Sequence, residues 1–320
     1  MPPSSKQVLA IYYSQSGQTQ EILESLLGAL KQAQDVNLVV HRIEAPKRYP
    51  FPWTSATFFD AMPESVLEVP CALLPLEPDL IRAWDLVILA HQPWFLSPSI
   101  PVSAFLQSSD AKRLLDHVPI ITVIGCRNMW VSAQDSVKRH LQRLGAVLIG
   151  NIVLRDTAPN LVSVLTIMHW VFTGRRDRLL GCFPKPGVSD RHIAEAGRFG
   201  AAILEHLRQD AQSGVSLPLQ PRLLELGAVR IDLPLVSIEK RGRRIFQLWA
   251  EFIAARGGPG DPKRRMRVVA FKYYLIAVIF IVSPIAQALA WIVTCMQPAK
   301  SRANAKRLSS VSSPTKMPRA

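Results

Sequence analysis

The sequence predicts an α/β protein built on a doubly wound, mostly parallel, five-stranded sheet in the order 2-1-3-4-5. Three observations predict it. Five short apolar runs recur between residues 7 and 154, separated by stretches with helical spacing of apolar positions. The runs are apolar at nearly every position, as strands covered on both faces are. The alternation continues without an internal repeat, which favours a single open sheet with helices on its two faces.

Each element has its own reason. Residues 7–13 (QVLAIYY) form the first strand. Ile22, Leu23, Leu26, Leu27 and Leu30 fall on one stripe, so 18–34 is a helix. Residues 36–43 (VNLVVHRI) are the second strand. The segment 45–80 holds Pro46, Pro50, Pro52, Pro63, Pro70, Pro75 and Pro78. It is expected to be irregular, and a connection of that length is expected to pass over a site. Residues 84–90 (WDLVILA) and 118–125 (VPIITVIG) are the third and fourth strands, with a helix starting over 99–107 between them. Val131, Val137, Leu141 and Leu144 give a helix over 131–144, and 146–154 (AVLIGNIVL) is the fifth strand. A last helix covers 188–208, with Ser189 as its N-cap before Asp190.

The formal net charge of +14 is unevenly placed. Residues 1–215 carry 20 Lys+Arg and 19 Asp+Glu, whereas 216–320 carry 18 and 5. The α/β part is therefore near neutral, and nucleic acid is not an expected partner: basic residues would have to line the folded domain. Cys71, Cys126, Cys182 and Cys295 contain no CxxC pair, so neither a metal site nor a disulfide framework is expected. The opening MPPSSKQVLAIYY lacks the pattern of a secretion signal.

In such sheets ligands sit beyond the strand ends at the switch in strand order. The first strand runs through Ser14, Gln15, Ser16, Gly17, Gln18 and Thr19 straight into a helix. Small hydroxyl residues and one glycine at a helix N-terminus make an anion cradle. This loop is neither a GK[ST] phosphate loop nor a GxGxxG loop. It also suits a plain β–α turn in which Ser16 or Thr19 caps the helix. The third strand is followed by His91, Gln92, Pro93, Trp94 and Phe95, and the fourth by Gly125, Cys126, Arg127 and Asn128. In the 2-1-3-4-5 order these three loops converge. An aromatic plate beside backbone amides suits a planar flavin.

On these residues the chain resembles the flavodoxin-like superfamily over roughly 6–155. Ser14, Ser16, Gly17 and Thr19 match its phosphate loop, Pro93-Trp94 its second flavin loop and Gly125-Cys126 the start of its third. The resemblance implies bound FMN, with Gln15 standing where short-chain flavodoxins usually carry Thr. The strings YYSQSGQ, PWFLSPSIP, GCRNMW and FTGRRD…GCFPKPGVSD are also similar to bacterial dialkylresorcinol condensing enzymes over most of 6–210. That resemblance implies a role in making or aromatising a resorcinol lipid beside a ketosynthase-type partner. His91, Cys126 and His169 are weak candidates for catalytic groups; a hydrogen-bonded strand-end histidine and a buried thiol are the plainer readings of the first two. Arg127 could meet the flavin or substrate, or pair with Asp135 or Asp156.

The expected organisation is a flavodoxin-like domain at 6–215, in which 161–186 either covers the core or forms an apolar lid over a lipid-like substrate. A basic amphipathic linker follows at 216–262, with Ile238, Ile245, Trp249, Phe252 and Ile253 on one face of a helix. Residues 273–296 hold 24 positions without a formal charge. As a helix they would be about 36 Å long, against about 30 Å of bilayer hydrocarbon. A membrane span, or a hairpin bent at Pro284, is expected there, with a disordered basic tail at 297–320. The whole then reads as an FMN oxidoreductase anchored in the inner membrane, its domain facing the cytoplasm. The alternatives are an electron-transfer module serving a membrane partner and a scaffold without flavin.

Overall fold

The computed structural model describes residues 5–213, 218–282, 284–285 and 298–311. Strands β1 (Lys6–Tyr12), β2 (Val36–Arg42), β3 (Leu86–His91), β6 (Pro119–Cys126) and β7 (Val147–Arg155) form one parallel sheet in the order β2-β1-β3-β6-β7. Counting only these five, the order is 2-1-3-4-5, as the sequence predicts. Strands β4 (Pro93–Trp94) and β5 (Ser97–Pro98) are a small antiparallel hairpin beyond the end of β3.

Alternate residues of each strand serve opposite layers. Val8, Ala10, Leu86, Ile88, Ile121 and Val123 face α1 (Gln18–Leu26), α2 (Gly28–Gln32), α9 (Asp190–Ala194) and α10 (Gly197–Ser213). Leu9, Ile11, Val87 and Leu89 face α5 (Ile100–Leu106), α6 (Ser109–Leu115) and α7 (Val131–Leu144). Burying each large aliphatic side chain contributes about 1.5–3 kcal/mol, so the central strands anchor both layers. The helix expected over 188–208 is broken at Glu195–Ala196 into α9 and α10, with Ser189 Oγ accepting from His192 N at the first N-terminus. Gly200 lets α10 approach α1: a Cβ there would stand 1.8 Å from the Leu26 carbonyl oxygen.

The proline-rich segment is more ordered than expected. It contains α3 (Ser55–Asp60) and α4 (Met62–Val66). Thr54 caps α3 through Thr57 N, and Pro63 falls at the start of α4, where its missing N–H costs no bond. Helix α8 (Asn160–Thr173) follows β7, and α11 (Leu219–Glu225) lies against β7. Helix α12 (Leu233–Ala254) packs on α4 and α7, followed by α13 (Arg265–Ala277) and a π-helical turn, Val278–Val282.

The C-terminal third shares a core with the proline-rich segment. Phe59, Met62 and Val66 pack with Ala250, Ile253, Val268 and Phe271. Arg264 is wholly buried beside them. Its Nε donates to Asp60 Oδ1 at 2.7 Å, and its Nη1 and Nη2 donate to Glu64 Oε1 at 2.6 Å and Glu64 Oε2 at 3.2 Å.

Here the structure corrects the sequence reading. Among the described residues no helix is long and apolar enough to cross a membrane. Residue 283 and residues 286–297, on which part of the expected span falls, lie outside the described residues. The described part turns from α13 into π winding, and Leu275, Ile276, Ile279 and Phe280 line a cleft, while Phe271 just before it is fully buried. Tyr273, Ile281 and Ile285 on the same stretch are exposed. The membrane anchor, the inner-membrane location, the lipid-like substrate and the ketosynthase-type partner lose their support with the span. Residues Pro298–Ser309, expected as disordered tail, form a helix, and 312–320 lie outside the described residues.

Candidate functional site

One cleft of about 740 Å³ opens beyond the ends of β1, β3 and β6. Its floor is three loops. Gln15, Ser16, Gln18 and Thr19 come from the β1–α1 loop, Gln92–Leu96 from the β3 hairpin, and Gly125, Cys126, Arg127 and Met129 from the β6–α7 loop. Its walls come from elsewhere: Phe51 and Trp53 before α3, Val164, Met168 and Val171 of α8, Ile238, Glu239 and Phe246 of α12, and Leu275–Phe280.

The β1–α1 loop turns through Gly17, whose φ of 90° is left-handed and which caps α1 without a side chain. Among the described residues nothing accepts from the amides of Ser16, Gly17, Gln18 or Thr19, and a Cβ on Gly17 would meet no atom within 4 Å. These amides and the α1 dipole are free to receive an anion. The side chains are differently employed. Gln15 Nε2 donates to Tyr49 O at 3.0 Å and Pro50 O at 2.6 Å, and Gln15 Oε1 accepts from the Tyr13 hydroxyl. Gln18 pairs with the Val188 backbone in both directions, at 2.9 and 3.0 Å. Ser14 is buried, and its hydroxyl accepts from Gln20 N at 3.4 Å. Thr19 Oγ1 donates to Gln92 Oε1 at 3.3 Å, tying the first loop to the second.

Trp94 stands in an aromatic group. Its ring centroid lies 5.1 Å from Tyr49, 5.5 Å from Trp53 and 5.9 Å from Tyr13, each edge to face. Such pairs add about 0.5–1.5 kcal/mol beyond burial, so the plate is rigid. Phe95 packs on Phe58 at 4.9 Å.

In the third loop, Arg127 Nη1 donates to Asn160 Oδ1 at 2.7 Å and to Asn160 O at 3.2 Å. Asn128 Nδ2 donates to the same Oδ1 at 2.8 Å, and Asn128 Oδ1 is buried without a partner. Burial lowers the Arg127 pKa to about 10, with Asp156 opposing the shift; neither Asp135 nor Asp156 forms an ion pair with it.

The suggested catalytic groups fare differently. His91 does not line the cleft; it is fully buried, neither ring nitrogen is hydrogen-bonded, and burial lowers its pKa to about 4, with nearby Gln134 opposing. Cys126 does line the cleft, but burial pushes its thiol pKa far up, so it is no ready nucleophile. His169 lies off the lining with Nε2 2.8 Å from Asp177 Oδ1. Among the described residues no group of three His, Cys, Asp or Glu side chains could hold a metal ion.

Sequence reasoning missed Glu239. It is almost wholly buried, lines the cleft from α12, and accepts from Ser132 N at 2.5 Å, so it caps α7 from a distance of 107 residues. Burial raises its pKa, against the bond from Ser132. The only signal for it was an acidic residue in a basic helix. Phe51 and Trp53 were foreshadowed only by the length of the proline-rich segment.

Strand order and converging loops define a flavodoxin-like module, the doubly wound class whose ligand site is the β1/β3 switch point. No family model and no curated protein matches the chain. Solved structures similar to it include a flavodoxin from the domain Archaea, at 11% identity and TM-score 0.37, covering 63% of this chain and 99% of that one. A flavoprotein from Lactobacillus acidophilus NCFM, in complex with FMN, is 17% identical with TM-score 0.35, covering 48% and 94%. Oxidised Flavodoxin 1 from Bacillus cereus is 17% identical with TM-score 0.34, covering 63% and 99%. The reading of the fold stands on the strand order and the loops, not on these likenesses.

Proposed function

We propose that this protein is an FMN-binding redox module of flavodoxin-like type that passes electrons to a partner. The observation that carries the reading is the single cleft on which all three strand-end loops meet. The residues fit the group. The unbonded amides of Ser16–Thr19 would hold the phosphate, and Thr19 and Gln92 would fix the two loops around it. Pro93, Trp94 and Phe95 would supply the face for the ring, and Gly125, Cys126 and Arg127 its polar edge, with Asn128 off the lining and bonded to Asn160 behind them. Bound FMN supplies one- and two-electron transfer. The chain's part is to exclude water with α8, α12 and Leu275–Phe280, to hold the ring against a rigid aromatic wall, and to place Arg127 nearby. A cation beside the ring favours its reduced, anionic form. His91 and Cys126, both uncharged at neutral pH, add no competing charge.

A narrower reading, condensation or aromatisation of dialkylresorcinol type, rests on the sequence resemblance over 6–210. It is favoured by a cleft that residues of α12 and α13 line together with the three loops.

Titration of the purified full-length chain with FMN, followed by flavin fluorescence, tests the first reading. We expect a dissociation constant of about 1 μM or tighter, roughly −8 kcal/mol, with riboflavin much weaker because it lacks the phosphate. Absence of FMN binding, or equal binding of riboflavin, overturns it. Bleaching of bound FMN by a cyclic dione, without another reductant, would be needed for the narrower reading.

A further inference from the structure

The β4–β5 hairpin turns on two residues, Phe95 and Leu96, with φ of 46° and 64°. A two-residue hairpin turn with both φ positive is normally made by Asn-Gly or a similar pair. Each ordinary side chain held there costs about 1–2 kcal/mol. Nearby Glu68 is also left-handed, at φ 55°. Backbone held this way persists only where its surroundings over-determine it.

One side chain from the C-terminal third bonds to two of these three residues, Leu96 and Glu68. Arg243 Nη1 donates to Leu96 O at 3.3 Å and to the Ser97 hydroxyl. Its Nη2 donates to Val66 O and Glu68 Oε1, both at 3.1 Å. Glu68 is fixed in turn: its Oε2 lies 2.7 Å from His140 Nε2, its Oε1 accepts from the Ser136 hydroxyl, and its carbonyl accepts from Gln107 Nε2 at 2.9 Å. Ser65 Oγ donates to Trp94 O at 2.9 Å on the other side of the turn. The guanidinium is a fork, and it bridges two strained segments at once. Within residues 93–98 the turn is held by the backbone pairing of β4 with β5, and no side chain of the hairpin bonds to it among the described residues.

We propose that Arg243 is a positioning residue for the cofactor loop. By joining Leu96 and Ser97 to Glu68 it keeps Phe95 and Leu96 in the conformation that lines the cleft, so α12 sets the shape of a loop 146 residues earlier in the chain. This rests on the FMN reading. The plainer role, a buried ion pair that only fastens α12 to α4, makes a different prediction.

The test is a double-mutant cycle in the full-length chain, with Arg243→Met, Leu96→Gly and the double variant. FMN affinity is read by fluorescence, and amide hydrogen exchange is read in flavin-free protein. Arg243→Met is expected to weaken FMN about tenfold in the native turn, but only about twofold with Leu96→Gly, because glycine holds the turn unaided. Exchange at Ser97 and Ser99, whose amides are bonded in the hairpin, should speed up relative to Gln20 and Glu21, whose amides bond to the first loop. An equal loss of affinity in both backgrounds, or exchange that rises uniformly, overturns the proposal. Where Arg243→Met does not fold, Glu68→Gln is used with the same exchange criterion. If the wild-type chain binds no FMN, the cofactor reading fails while the exchange data still decide the clamp.

Discussion

Two loops of the same cleft are built in opposite ways. The β1–α1 loop takes its turn from its own residue: Gly17 supplies the left-handed conformation, and Gln15 and Gln18 then tie the loop to Tyr49, Pro50 and Val188. The β3 hairpin does not. Phe95 and Leu96 have no intrinsic preference for their conformation and are held by Arg243, Glu68 and Ser65 from other elements. A turn of the first kind is set by a residue whose backbone allows it, whereas one of the second kind reports on Arg243 and the helix that carries it.

The strongest way to break that contrast is through Arg264. It is fully buried and binds Asp60 and Glu64, so it fastens the segment before α13 to α3 and α4, the helices that carry Val66 and Glu68 towards the hairpin. Arg264→Met leaves two carboxylates without their partner, and removing one side of such a buried pair costs about 3–5 kcal/mol. We expect a fall of that size in urea denaturation. Ser97 and Ser99 should lose exchange protection well before Gln20 and Glu21, whose amides bond to the first loop. Loss of protection at both loops together would mean that they are not independent.

Acid offers a gentler route to the same comparison. The His91 imidazole is held neutral by burial at a pKa of about 4, against an ordinary value of 6.5. Because the folded value is depressed, the unfolded chain binds more protons between pH 6.5 and 4. The stabilisation is complete above pH 6.5 and is lost as pH falls through that window. The shift corresponds to roughly 3 kcal/mol. His91→Leu should flatten the pH dependence of stability between pH 6.5 and 4; an unchanged slope would place the acid sensitivity elsewhere. Glu68 acts lower down. Burial alone would raise its pKa, yet bonds from His140 and Ser136 and the charges of His140 and Arg243 bring it to about 2 from 4.5. Its contribution is present above pH 4.5 and fades towards pH 2. In the His91→Leu background the hairpin should therefore keep its exchange protection to lower pH than in wild type.

The contrast also explains what could be read from sequence. Strands β1, β3 and β6 and the Ser14–Thr19 loop were legible because burial on two faces and a glycine before a helix are local signals. The hairpin turn was not, since Phe-Leu reads as core rather than turn and its support comes from Arg243. Glu239 was hidden for the same reason: its partner, Ser132 N, is 107 residues away. The described part of 273–296 misled because an uncharged run reads the same whether it crosses a membrane or lines a cleft. Phe271 and the neighbouring cleft-lining side chains, Leu275 to Phe280, are set against α3, α12 and the cleft, which hydropathy alone does not encode.

The finest test exchanges glycine between the loops. Gly17→Ala places a Cβ in open space, so the only penalty is the left-handed backbone, about 1 kcal/mol. Leu96→Gly removes a penalty of the same kind, offset by the lost packing of a side chain near Gly242. We expect the first change to lower stability by about 1 kcal/mol and the second to leave it within about 0.5 kcal/mol of wild type. FMN affinity should separate them further. Gly17→Ala displaces amides that would hold the phosphate and should narrow the preference for FMN over riboflavin. Leu96→Gly touches only the ring side, so both flavins should change by the same factor. If Leu96→Gly instead alters that preference, the hairpin reaches the phosphate end of the cleft, and the division between a locally built loop and a remotely held one does not extend to ligand binding.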